Sequence, residues 1–137
     1  KSYRLIPSEM SIDYSAYESG LDRFVRLDKE NDFIGKEALK DWQDRGAANG
    51  FVTLEVLGVE DADARGSEAI YKDGEVVGRA TSGGFGWRCG KSLALGLVRK
   101  DLTAIGTELE IEILGEKYKS VVIDESPFDP TNECLRS

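Results

Sequence analysis

The sequence predicts a mainly β fold, an antiparallel barrel of about six strands preceded by an irregular segment and one helix. From residue 50 onward, apolar and polar residues alternate with a period of two, as in FVTLEVLGV, which is typical of half-buried strands. An Asp-Gly pair at 73 and 74 separates two apolar runs, which is a strong hairpin signal. Several such runs follow a single helical pattern, so an antiparallel barrel or sandwich is favoured over alternating strands and helices.

The first part of the chain contains the irregular segment and the helix. Residues 1 to 31 are irregular or extended in pattern, with short strands expected at 23 to 27. Gly35 is a suitable N-cap, and Gly46 supplies a C-terminal stop. We therefore expect a helix from about Lys36 to Arg45.

One face of this predicted helix is apolar. Leu39 and Trp42 share that face, and Ile34 stands at the spacing of a hydrophobic staple with Leu39. We expect Leu39 and Trp42 to pack onto the barrel that follows.

The strands after the helix are separated by recognisable turns. The hairpin signal lies within AIYKDGEVVGRATSG, and SLALGLV adds a further strand. The run ELEIEILGEKYKSVVI predicts a last pair of strands that turns near Gly115 and Glu116.

Composition limits the kinds of partner. A chain of 137 residues suffices for one main folding unit. Twenty-six acidic residues against eighteen basic ones give a net charge of −8, which opposes non-specific binding to nucleic acid and to anionic membranes. No apolar run approaches the ~20 residues of a transmembrane helix. We therefore predict neither a nucleic-acid nor a membrane partner.

Metal and disulfide chemistry has little support in the sequence. Cys89 and Cys134 stand far apart and outside any metal-binding spacing, and the chain has no histidine. This predicts no metal site and reduced thiols in an intracellular, cytoplasmic protein. The chain opens at Lys1 without a methionine, so we expect a piece of a longer polypeptide.

Two loop segments invite functional interpretations. TSGGFGWRCGK matches neither common phosphate-binding glycine pattern, so a strand-connecting loop is predicted. Within it, Phe85 and Trp87 either present flat apolar surface to a ring-shaped ligand or close the end of the barrel, and closure is favoured. The acidic stretch EDADARGSE lacks the spacing of a calcium loop and is interpreted as a solvated loop.

Four separated motifs carry a family resemblance. They are YESGLDRFVRLDK, DFIGKEAL, ATSGGFGWRCGKSLALGLV and GTELEIEILGEKYKSVVI. In this order they resemble successive motifs of the aminomethyltransferase family, the glycine-cleavage T-proteins and their relatives, over nearly the whole chain. The ending SPFDPTNECLRS is similar to the end of this module in dimethylglycine and sarcosine dehydrogenases. The resemblance therefore favours a flavoprotein parent over a free-standing T-protein.

The resemblance implies two regions and a role within a larger enzyme. Residues 1–48 would be the tail of a preceding folate-binding region plus a linking helix, and residues 49–137 the C-terminal barrel of a tetrahydrofolate-dependent aminomethyltransferase-type enzyme. The family aspartate that assists one-carbon transfer and the glutamate that binds the pteridine ring would both precede Lys1. The resemblance thus implies no catalytic residue in this chain, which alone is expected to be inactive.

The same resemblance implies cofactors, partners and folate contacts. The partners would be upstream domains of the same polypeptide and small-molecule folate, with tetrahydrofolate as cofactor of the full-length protein and FAD in an upstream domain of a flavoprotein parent. A family arginine that meets the acidic folate tail has its nearest counterpart in Lys29, with Arg26 close by. Lysine keeps the charge but loses the bidentate fork, and a solvated lysine is an equal alternative. Tyr3 would form the end of the folate-lining segment, and Glu18 would orient nearby backbone.

Three alternatives remain open at this point. The chain could belong to a free-standing glycine-cleavage T-protein, or it could be a structural or interaction barrel without a ligand. The folate-dependent iron-sulfur assembly branch of the family is a third, but its KGCYxGQE-type motif does not occur in this chain. Stabilisation by folate of a chain extended upstream would distinguish the ligand-binding alternatives from the structural one.

Overall fold

The computed structural model describes all 137 residues, and its centre is a closed barrel of six antiparallel strands. Neighbouring strands around the barrel follow the order β1-β4-β3-β2-β5-β6, with β6 returning to β1. The predicted mainly β barrel is therefore confirmed. The strands are β1 (Asn49–Val56), β2 (Ala69–Lys72), β3 (Glu75–Gly86), β4 (Lys91–Arg99), β5 (Glu108–Ile113) and β6 (Glu116–Ile123).

The helical elements are short and lie outside the barrel wall. Helix α1 spans Lys36–Arg45, and a single turn, α2, spans Glu133–Arg136 near the C-terminus. Two 3-10 turns occur at Asp22–Phe24 and Lys100–Leu102. The first of these replaces the short strands predicted at 23 to 27, because the Val25 amide closes back on the Asp22 carbonyl at 2.8 Å instead of pairing with another strand.

Two hairpins form where the sequence placed its turn signals. Asp73 and Gly74 both have positive φ, 51° and 84°, as the tight turn between β2 and β3 requires. The turn between β5 and β6 uses Leu114 and Gly115, with φ of 52° and 86°. It therefore begins one residue before the predicted position.

The barrel interior holds the hydrophobic core. Alternate residues of the strands point inward, so the burial of β5 alternates along Leu109, Ile111 and Ile113. The largest buried apolar side chains are each at most 2% exposed; they are Leu54, Ile70, Val98, Ile111 and Ile113. The core is therefore built from strands that lie far apart in the sequence.

Helix α1 has the predicted ends but not the predicted packing. It begins after Gly35, with φ of 90°, and ends at Gly46, with φ of 77°. No residue of the helix is buried, and Ile34 is fully exposed, so the predicted staple with Leu39 does not form. Trp42 is only half-buried, and the Arg45 guanidinium covers its ring at 4.1 Å. Leu39 and Trp42 are therefore only partly buried, which is less than the predicted packing onto the barrel requires.

The aromatic pair after Ser82 does not close the barrel. Trp87 is 86% exposed and contacts Phe85 edge to face, with ring centroids 4.9 Å apart. Most of the glycine-rich stretch extends β3 to Gly86, so only the turn before β4 is a loop. Barrel closure by these rings was the wrong interpretation, because Phe85 lies at the end of β3 and Trp87 in the turn after it, where both side chains are exposed.

The acidic stretch is more structured than a solvated loop. The Asp63 carboxylate accepts hydrogen bonds from the Ser92 hydroxyl at 2.8 Å and from the Phe85 amide at 3.0 Å. Glu68 accepts the amides of Arg65 and Gly66 at 2.8 and 2.7 Å. Asp63 therefore ties this segment to the end of the β3–β4 hairpin.

Replacing Ser120 by alanine is expected to stabilise the protein by about 1 kcal/mol. Ser120 is 2% exposed, and its hydroxyl has no hydrogen-bond partner, because it faces the same side as Leu109 and Val56. The matched control is Ser92→Ala, which removes a buried hydroxyl that does bond to Asp63 and should lower the melting temperature. Thermal unfolding measures both, and a loss of stability in Ser120→Ala would contradict the account.

Candidate functional site

The N-terminal segment and the C-terminal tail meet on one side of the barrel, and their junction is the candidate site. Arg4 holds the N-terminal segment in place, and its side chain is only 4% exposed. Its guanidinium lies 3.8 Å from the centre of the Phe51 ring on β1. A cation stacked on an aromatic face and shielded from water is attracted to the ring.

The same guanidinium satisfies several backbone acceptors. Arg4 Nε donates to the Ser19 carbonyl at 2.9 Å, and Nη1 donates to the Ser2 carbonyl at 3.0 Å. Nη1 also forms an ion pair with Glu125, which follows the last strand. Arg4 therefore connects the N-terminal segment, the barrel and the C-terminal tail.

A second group of contacts fastens the chain ends to each other. The Lys1 ammonium forms an ion pair with Asp129 and donates to Asn132 Oδ1 at 2.6 Å. The Ser126 hydroxyl donates to the Lys1 carbonyl at 2.9 Å. Asp129 also accepts the Glu133 amide at 2.7 Å and so caps the start of α2. We call this set of contacts the terminal clasp.

A cleft of about 1150 Å³ lies between the two fastened segments. Its apolar side chains include Tyr3, Met10 and Phe24 from the N-terminal segment. Arg23 and Arg136 also line it, and neither has a carboxylate partner within ion-pair distance. The cleft thus combines exposed aromatic surface with two arginines that have no carboxylate partner, one of which, Arg23, lies over the Phe24 ring at 5.0 Å.

The predicted folate contacts are not gathered in one place. Tyr3 lines the cleft, where its hydroxyl donates to Asn132 Oδ1 at 3.0 Å. Arg26 and Lys29 lie in the loop before α1 and are absent from the cleft lining. Arg26 is held by Asp28 through two hydrogen bonds of 2.9 and 2.8 Å. The Lys29 side chain is exposed and has no acidic partner, while its carbonyl accepts the Lys36 ammonium at 2.7 Å.

Two ion pairs lower the pKa of their carboxyl groups, one in the loop before α1 and one in the terminal clasp. The hydrogen bonds from Arg26 lower the pKa of Asp28 to about 2. The hydrogen bond from Lys1 is the main cause that lowers the pKa of Asp129 to about 2, and the amides of Glu133 and Cys134 add to it. Both carboxylates therefore stay ionised at neutral pH.

Two glutamates of the N-terminal segment are buried, and a role was predicted for only one of them, Glu18. Glu18, which was expected to orient backbone, is 4% exposed and accepts the amide and hydroxyl of Ser15 at 3.0 and 3.1 Å. Its other oxygen accepts Asn49 Nδ2 at 3.1 Å, which joins the segment to β1. Glu9 is fully buried and accepts the Leu5 amide at 2.6 Å. The turn residues around each glutamate are the only sequence signal for this role.

The buried acidic side chains of the N-terminal segment bind hydrogen-bond donors of the protein itself. No cluster of three or more His, Cys, Asp or Glu residues is placed to hold a metal ion. Glu9 and Glu18 are committed to backbone and side-chain donors. None of the helices combines the length and apolar character that crossing a membrane requires.

Replacing Asp129 by asparagine is expected to lower the melting temperature at pH 7. The melting temperature of the variant should also fall less on acidification than that of the parent. Because the folded-state pKa is depressed, the stabilisation is present above the unfolded value of about 4 and is lost as pH falls toward 2. The difference between Asp129→Asn and the parent should therefore shrink over that interval. Thermal unfolding at several pH values measures it, and a difference that is independent of pH would contradict the clasp.

Comparison with known proteins places this geometry in a family. Residues 50–129 match the model of the glycine cleavage T-protein C-terminal barrel domain. Human dimethylglycine dehydrogenase is 41% identical over an alignment of 138 positions, which covers 99% of this chain and 16% of that protein. An aminomethyltransferase of Desulfitobacterium hafniense is 37% identical, over 87% of this chain and 32% of that protein.

A solved structure supports the same assignment. The glycine cleavage system aminomethyltransferase T from Bartonella henselae superimposes with a TM-score of 0.74 at 26% identity, over 85% of this chain and 32% of that chain. This chain therefore spans about a third or less of its relatives' length. It belongs to the glycine cleavage T-protein family, and its residues 50–129 correspond to the C-terminal barrel domain.

Proposed function

We propose that this chain is the C-terminal part of a longer tetrahydrofolate-dependent enzyme that passes a one-carbon unit from a methylated amine to folate. The observation that carries the proposal is the extent of the match to dimethylglycine dehydrogenase, which covers 99% of the chain. It reaches beyond the barrel into residues 1–48, which we assign to the tail of a preceding folate-binding region and a linking helix. Residues 49–137 would then form the barrel domain.

A dehydrogenase parent is favoured over a free-standing T-protein. The dimethylglycine dehydrogenases of human, mouse and rat are 38 to 41% identical to this chain, whereas five bacterial aminomethyltransferases are 31 to 37% identical. The ending SPFDPTNECLRS, which resembles that of the dehydrogenase module, also forms the terminal clasp through Asp129 and Asn132. The dehydrogenases carry "mitochondrial" in their names, so a mitochondrial location competes with the predicted cytoplasmic one.

The chain's own residues would bind and position rather than transfer protons. Oxidation of a methylated amine in an upstream flavin domain would give an iminium carbon, and tetrahydrofolate, when bound, supplies the nitrogens that accept it. Lys29 fits a contact with the folate carboxylates better than Arg26 does, because Arg26 is already paired with Asp28. The barrel and the N-terminal segment would form a wall of the folate chamber.

An assay of the full-length protein tests the proposal. Dimethylglycine or sarcosine, supplied with and without tetrahydrofolate, should give a folate-linked one-carbon product in the first case and free formaldehyde in the second. Lys29→Gln should raise the KM for folate a few-fold, because a single exposed ion pair contributes little, and leave the KM for the amine unchanged. Lys119→Gln, exposed on β6, is the control. Absence of both flavin and folate-linked product would favour a structural barrel instead.

A further inference from the structure

Asn49, the first residue of β1, is followed directly by Gly50. An asparagine can lose its side-chain amide when the backbone nitrogen of the next residue attacks the side-chain carbonyl carbon. A glycine hinders this attack least, because it has no Cβ. The other two asparagines of the chain, Asn31 and Asn132, each precede an acidic residue with a larger side chain. The sequence therefore makes Asn49 the intrinsically most reactive asparagine.

Packing accounts for the glycine at position 50. A Cβ on Gly50 would lie 2.7 Å from Thr103 Cγ2 and 3.2 Å from Lys100 Cδ. Thr103 has a β-branched, stiff side chain, and its hydroxyl donates to the Lys100 carbonyl at 2.9 Å, so it is held in this position. The close approach to Thr103 therefore favours glycine, and the fold itself retains the reactive Asn-Gly pair.

The side-chain amide of Asn49 joins β1 to the N-terminal segment. Its Nδ2 donates to Glu18 Oε1 at 3.1 Å, and Glu18 is 4% exposed. No lysine or arginine lies within ion-pair distance of Glu18. An acid at position 49 would remove the donor and set a second negative charge against this buried carboxylate, which is unfavourable on both counts.

The position of Asn49 at the start of β1 gives the attack a route. Gly50 is paired with Val98 in the β1–β4 ladder, so the attack requires this first part of the ladder to separate. The ends of elements open at a lower free-energy cost than their centres. Residues 46 to 48, which precede Asn49, belong neither to α1 nor to β1. Opening at this end therefore leaves the rest of the barrel intact.

We propose that Asn49 is a deamidation site and that its conversion to an acid releases the N-terminal segment from β1. The Gly50 amide nitrogen forms a bond to Asn49 Cγ, the Cγ–Nδ2 bond breaks, and ammonia leaves with the proton of the Gly50 amide. Water then opens the resulting succinimide ring at either carbonyl carbon, which gives aspartate or isoaspartate. Both products replace the amide donor by a carboxylate, and isoaspartate also adds a carbon to the backbone of β1.

Incubation of the folded full-length protein at mildly alkaline pH tests the reaction. Peptide mass spectrometry compares the conversion of Asn49 with that of Asn31 and Asn132 in the same molecules. Digestion in heavy-oxygen water marks any conversion that occurs during sample preparation. We expect Asn49 to be converted faster than either of the others. Conversion of Asn49 that is no faster than that of Asn31 and Asn132 would overturn the proposal.

The variant Asn49→Asp tests the structural consequence directly. Hydrogen exchange over residues 9–20 of the full-length protein should become about tenfold faster than in the parent, because the segment opens more often. The matched control is Asn132→Asp, since Asn132 Oδ1 accepts hydrogen bonds from Lys1 and Tyr3 and a carboxylate can accept them too. Exchange over residues 9–20 should be unchanged in this control.

A second substitution separates charge repulsion from other effects of the change. In Asn49→Asp combined with Glu18→Gln, the glutamine amide can donate to the new aspartate while its oxygen still accepts from Ser15, as Glu18 does in the parent. Exchange over residues 9–20 should therefore return close to the parent rate. Unchanged exchange in Asn49→Asp, or no recovery in the double variant, would also overturn the proposal.

Discussion

Replacing Gly78 by alanine is expected to destabilise the barrel by about 3 kcal/mol, the upper part of the range for overpacking a close-packed interior. A Cβ at this position would lie 2.3 Å from the Leu97 carbonyl oxygen and 2.8 Å from the Val98 Cα. Both are backbone atoms of β4, and Gly78 pairs with Val98 in the β3–β4 ladder. Relief of the clash therefore requires the two strands to move apart.

The control for this prediction lies on the same strand. A Cβ at Gly84 would meet no heavy atom within 4 Å, so Gly84→Ala should leave stability close to that of the parent. Denaturant unfolding of the two variants measures the difference. Equal stabilities would show that β4 lies farther from Gly78 than a 2.3 Å approach to a Cβ implies.

Replacing Arg4 by methionine is expected to cost about 3 kcal/mol, because charged hydrogen bonds are lost and buried acceptors are left without donors. The Ser19 and Ser2 carbonyls each lose a donor, and the Phe51 ring loses the cation above it. Methionine retains apolar bulk, so the loss reports mainly on the guanidinium. Hydrogen exchange should show faster exchange over residues 1–20 before the barrel itself opens.

Two further substitutions sharpen the Arg4 prediction. Arg4→Lys keeps the charge but cannot make the same fork of hydrogen bonds, so only partial recovery is expected. Arg99→Met removes an exposed arginine that pairs with Asp101, and its melting temperature should not change measurably. If Arg4→Met behaved like Arg99→Met, the described role of Arg4 in fastening the N-terminal segment would be wrong.

The barrel was predictable because its signals are local. Asp73 and Gly74 tolerate positive φ, and the alternation along β5 assigns Leu109, Ile111 and Ile113 to one face whatever the rest of the chain does. Gly35 and Gly46 fixed the ends of α1 for the same reason. The short turns also predicted antiparallel pairing of consecutive strands, as in β2–β3 and β5–β6. The pairing of β1 with β4 and of β2 with β5 was not predicted, because it joins strands that are not consecutive in the sequence.

The candidate site was less predictable because its contacts are not local. Arg4 reaches Glu125, 121 residues away in sequence, and the Lys1 ammonium reaches Asn132, 131 residues away. No periodicity reports such pairs, and charged residues are usually assigned to the surface. For helix α1 the prediction of burial was too strong. Its apolar face was identified from the sequence, but the pattern does not say whether the barrel lies against that face.

The terminal clasp also brings the first residues of this chain next to its last ones. With Lys1 beside Asp129 and Asn132, the two ends of the fold stand next to each other rather than at opposite poles. A unit with adjacent ends can be joined to a larger protein at one point of attachment, without a linker that has to span its surface. The same adjacency makes the chain a good subject for circular permutation. A short Gly-Ser bridge from Ser137 to Lys1, with new termini opened at the exposed Leu114–Gly115 turn, would leave the closed barrel and its neighbours connected.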